Sequence, residues 1–66
     1  MGNWDVMRAQ QAVNIVAPVM AGRPRLEVEQ ELEAWLERHG AALPEPHWSG
    51  VVDAVAGGSR IVTLPR

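Results

Sequence analysis

The 66-residue chain contains no cysteine, no lysine, no phenylalanine and no tyrosine. Without cysteine there is neither a disulfide nor a thiolate metal site, so two of the usual supports of a small domain are missing. Also missing is any apolar run near the roughly 18 residues that a membrane span requires. Trp4, Asp5 and Arg8 stand where a secretory signal would place a basic start and an unbroken apolar stretch. Val6 stands where the myristoylation pattern needs Ser or Thr. A cytoplasmic location with no membrane partner is therefore expected. All six basic residues are arginine, and Ala, Val and Gly are plentiful. This bias reads as GC-rich coding, of the kind found in high-GC bacteria and their phages. The net charge of −2 argues against broad affinity for nucleic acid.

A chain this short makes one domain, residues 1–66, and buries only about 60 % of the surface its unfolded form exposes. At ~0.05–0.15 kcal/mol per residue its stability comes to roughly 3–10 kcal/mol. That margin is thin, and association with a second copy, a homodimer, is the expected source of further burial.

What is present is organised around PRLEVEQELEAWLERHG, residues 24–40. Pro24 suits the first helical position, Gly40 suits the left-handed residue past the end, and no Gly or Pro lies between, so a helix over 24–39 is predicted. Val28, Leu32, Trp35 and Leu36 form its apolar stripe. Glutamates fill the other sides, and the pairs 27/31, 29/33 and 33/37 set like charges one turn apart. Each pair costs roughly 0.2–0.5 kcal/mol in an isolated helix, offset in part where early glutamates and the late Arg38 and His39 meet the helix dipole. An acidic face of Glu29, Glu33 and Glu37 is thus either a solvated surface or one kept for a basic partner.

Before it, Val6, Ala9, Ala12, Val13, Val16 and Val19 or Met20 mark an amphipathic helix over 4–20, capped by Asn3 and either ended or kinked by Pro18. Gly22, Arg23 and Pro24 fold the two helices back as an antiparallel pair. After Gly40, Pro44 and Pro46 keep the chain out of the helical region. Trp48, Val51, Val52 and Val55 then predict a third helix over 46–56, stopped by Gly57-Gly58. Residues 60–64, with three β-branched residues in a row, read as a C-terminal β-strand. The fold class is therefore mainly α, three short helices and one strand. No second strand is visible, so the backbone of Ile61, Val62, Thr63 and Leu64 should pair across a dimer, with residues 41–43, or with a partner's sheet; the plainer alternative is a tail that lays Ile61 and Leu64 on the core.

The three tryptophans fall one to a helix and are read as the junction of the core, with Trp4 the most exposed and a candidate partner anchor. His39 and His47, near Glu37, Glu45 and Asp53, lack the spacing of a metal site, and Ser49, Ser59 and Thr63 sit in no nucleophile motif. No enzyme activity, metal or cofactor is expected. The expected function is a non-catalytic protein-interaction module, a regulator, inhibitor or assembly subunit. It would use the glutamate face and the strand edge, with itself or a basic protein as partner. The alternative is a winged helix-turn-helix regulator whose DNA contacts would be Arg23, Arg25, His47 and Arg60. The acidic central helix and the long connection from Gly40 to Glu45 fit that model poorly.

Overall fold

Three helices, α1 (Val6–Met20), α2 (Arg25–Arg38) and α3 (His47–Ala56), make up the computed structural model, which describes residues 5–65. Each forms where the apolar spacing placed it, and each end has a local cause. The expected cap Asn3 and the candidate anchor Trp4 lie outside the described residues; Asp5 caps α1 by accepting a hydrogen bond from the Arg8 backbone N–H at 3.1 Å. α1 continues through Pro18 to Met20. In the last turn the proline forfeits a single backbone bond, and the core side chains Val16, Ala17 and Met20 hold that turn in place. Pro24 and Pro46 each stand one position before the first helical residue, a shift of one from the sequence prediction.

The chain leaves α1 through Ala21 (φ −56°, ψ 125°) and Gly22 (φ 78°), with Arg23 N–H donating to Met20 C=O at 3.0 Å. These are the angles of a type II turn, whose third residue must tolerate positive φ. α2 and α3 both end in a Schellman motif. After α2, Gly40 N–H donates to Glu37 C=O and Ala41 N–H to Leu36 C=O; after α3, Gly58 N–H donates to Val55 C=O and Ser59 N–H to Ala54 C=O. A Cβ built on Gly40 would lie 3.6 Å from the Arg8 guanidinium, so the start of α1 stands beside the end of α2 and the pair runs antiparallel.

The core is aliphatic: Ala9, Ala12, Val13, Val16, Ala17 and Met20 from α1, Val28, Leu32 and Leu36 from α2, and Val51, Val52 and Val55 from α3, closed by Leu43 and Leu64. Alanine, valine and leucine side chains fill the centre, and no indole is among the buried side chains described. For Trp35 and Trp48 the expectation that the tryptophans form the core junction is thereby corrected. Trp35 and Trp48 are half-buried and pack against the core from outside.

The predicted C-terminal strand over 60–64 does not form; among the described residues there is no strand. The reason is Gln10. Its carboxamide nitrogen donates to Val62 C=O and its oxygen accepts from Leu64 N–H, both at 2.7 Å, so one side chain provides the pairing that a neighbouring strand would have given. Between these two bonds Leu64 turns into the core while Ile61 stays 85 % exposed. Half of the plainer tail reading, the docking of Leu64, is what the chain adopts.

Pro46 offers α3 no capping side chain. Glu45 takes that part, accepting from the Ser49 backbone N–H at 2.7 Å and from the Ser49 hydroxyl at 2.5 Å. The Ser49 hydroxyl, and then its backbone N–H, hold the Glu45 carboxyl below its ordinary value. A depressed carboxyl pKa stabilises the fold above the unfolded value, and the contribution disappears as pH falls through the folded one. Ser49→Ala should therefore raise the Glu45 pKa toward the usual carboxylate range in a 13C NMR titration. An unmoved titration would show that the hydroxyl does not set it.

A candidate docking groove beside helix α2

Along its flank toward α3, α2 presents Leu26, Glu29, Gln30, Glu33, Leu36 and Glu37. The spacings of three and four are those of one face of a helix. Opposite them stand Ala41 and Leu43 of the connection and Trp48 of α3, and an open groove of about 740 Å³ lies between. Its floor is apolar and its rim is acidic. The Schellman stop at Gly40 builds half of this floor, because the Ala41-to-Leu36 backbone bond turns the chain back under the last turn of α2 and delivers Ala41 and Leu43 to the groove.

All three glutamates predicted as a partner surface, Glu29, Glu33 and Glu37, line this one groove. Glu29 has a distant partner in Arg25, at 3.9 Å. Among the described residues Glu33 and Glu37 are in no ion pair, so their charge faces solvent uncompensated. The groove's apolar part was missed: Leu26, Leu43 and Trp48 were not read as site residues. A signal for it existed, since Leu26 shares a helix face with the glutamate row instead of the core stripe.

The other predicted site residues are dispersed. Ile61, Val62 and Thr63 do not form a pairing edge; Val62 and Thr63, with Leu64, lie against Pro46, His47 and Gly50 at the start of α3. Arg23 pairs with Glu27 at 3.0 Å, and Arg25 forms an ion pair with Asp53 that bridges α2 to α3. Arg60 is exposed on the segment that follows α3, and His47 is half-buried at the first position of that helix. On the opposite flank of α2 Arg38 stacks over the Trp35 ring at 4.9 Å, and His39 Nδ1 lies 2.9 Å from the Trp35 carbonyl oxygen. Among the described residues no three His, Asp or Glu side chains come together as a metal-binding group, and no helix is long and apolar enough to cross a membrane.

Comparisons with protein-family models, with curated proteins and with solved structures found no match to this chain.

Proposed function

We propose that this chain is a non-catalytic interaction module whose groove beside α2 receives a basic amphipathic segment of another protein. The observation that carries the reading is the coincidence of Glu29, Glu33 and Glu37 with an apolar floor of Leu36, Leu43 and Trp48 in one groove. A solvated acidic face needs no such floor. Exposed ion pairs contribute only about 0.2–1 kcal/mol each, so the glutamates select and steer the partner. Burial of its apolar side chains against Trp48 and the leucines supplies most of the affinity, at about 1.5–3 kcal/mol for each side chain fully buried. An arginine of the partner also gains from lying over the Trp48 ring.

DNA binding has less support. Arg23 and Arg25 are engaged by carboxylates, and the start of α3, which would have to read the bases, shares a notch with residues 62–65.

The test is titration calorimetry with a synthetic helical peptide bearing leucines on one face and arginines at i, i+4 spacing beside them. Binding should weaken as salt is raised. The triple variant Glu29→Lys, Glu33→Lys, Glu37→Lys should lose at least about tenfold in affinity, since three attractions become repulsions. Equal affinity in the triple variant, or no binding by the unmodified protein, would remove the proposal.

A further inference from the structure

From Ala9 to Gly22 the chain carries no charged residue, although the outer side of α1 faces solvent along that whole length. Val19 is 73 % exposed, and Ile15 beside it is also exposed. With Trp35 and Met20 they line a notch of about 240 Å³ between α1 and α2, bordered by Glu31. It shares no residue with the acidic groove, which lies on the other flank of α2.

The charges around this notch identify its occupant. Glu31 lines the notch, and Arg38, seven residues further along the same helix and outside the lining, lies over the Trp35 ring. Trp35 stands between them. A twofold axis at the level of Ile15 and Trp35 exchanges the two charges, so that Glu31 of each copy meets Arg38 of the other while the uncharged α1 faces meet at the centre. A basic partner would gain little here, because Glu31, the one carboxylate that lines the notch, has Arg38 two turns along the same helix, and the neighbouring Glu27 is already paired with Arg23. An identical surface is complementary to it in both charge and polarity.

We propose that the Ile15–Val19–Trp35 face is a self-association surface on which a second copy of this chain docks across a twofold axis. The interface is of the small, transient class, and the dimer it makes depends on concentration. Both acidic grooves remain open, which gives the assembly two equivalent docking sites. The inference goes beyond the groove reading and stands or falls without it.

Sedimentation equilibrium of the full chain from micromolar to millimolar concentration should show a reversible monomer–dimer equilibrium. Val19→Glu, at an exposed position, should weaken the dimer at least about tenfold while far-ultraviolet circular dichroism stays helical. Glu31→Arg and Arg38→Glu alone should each weaken it several-fold by setting like charges face to face. The double swap E31R/R38E should restore it, which a merely structural role of either residue would not produce. A monomer at every concentration, a dimer indifferent to V19E, or a double swap that fails to restore association would each overturn the proposal.

Discussion

Leu32→Ala is expected to lower the unfolding free energy by about 2–5 kcal/mol, the range for truncating a buried leucine. Leu32 has no exposed surface and is the largest of the fully buried side chains. In a chain of 66 residues its neighbours belong to a single thin core, and much of the truncation leaves a void, because the surrounding close-packed side chains relax only partly into it. Against a total of roughly 3–10 kcal/mol, the loss is a large share of the whole stability. Urea titration followed by circular dichroism measures it directly. Leu26→Ala is the control, since Leu26 is 65 % exposed on the groove rim and its truncation should stay within about 0.5 kcal/mol of the parent. If the two variants unfold alike, the core is not where the buried surface places it.

The second large effect concerns Gln10. Gln10→Leu removes the donor to Val62 C=O and the acceptor for Leu64 N–H together, and at about 0.5–1.5 kcal/mol for each bond the hold on residues 62–64 falls by roughly 1–3 kcal/mol. Hydrogen exchange at the Leu64 amide should accelerate by one to two orders of magnitude, while amides within α2 change little. Gln10→Glu offers a sharper version. Its ionised carboxylate still accepts from Leu64 N–H but repels Val62 C=O, so the loss should be partial at neutral pH and reversed in acid, where a protonated carboxyl donates again. Equal protection of Leu64 in all three proteins would mean that the side-chain pairing is not what holds the tail.

The helices were legible because their signals are local. Gly40 and Gly58 end α2 and α3 through left-handed conformations that a β-carbon disfavours, and both lie where glycine follows the last apolar position of a periodic run. The strand was misread for the opposite reason. Ile61, Val62 and Thr63 carry strand propensity, but propensity states only that a backbone is comfortable when extended, and here its partner is the amide of a residue 52 positions earlier. No feature of a lone glutamine marks it for that role. Trp35 and Trp48 were misplaced because their positions on α2 and α3 show that they neighbour the apolar stripe but not that alanine, valine and leucine fill the centre, which is visible only when the helices are considered together. The acidic rim of the groove was legible as a row of glutamates, whereas its floor depends on where the chain goes after Gly40.

One hydrogen bond ties the molecule together in a way that composition does not suggest. Gly22 N–H, in the turn between α1 and α2, donates at 2.8 Å to the carbonyl of Val55 in the last turn of α3. The bend of the helical hairpin is therefore completed by a residue that arrives more than thirty positions later, on a helix that adds Val51, Val52 and Val55 to the shared core. A fragment ending at Gly40 would have the sequence of a hairpin with an open donor at its bend and without the apolar side chains of α3. Loss of α3 is accordingly expected to loosen the hairpin as well, so that the three helices unfold together.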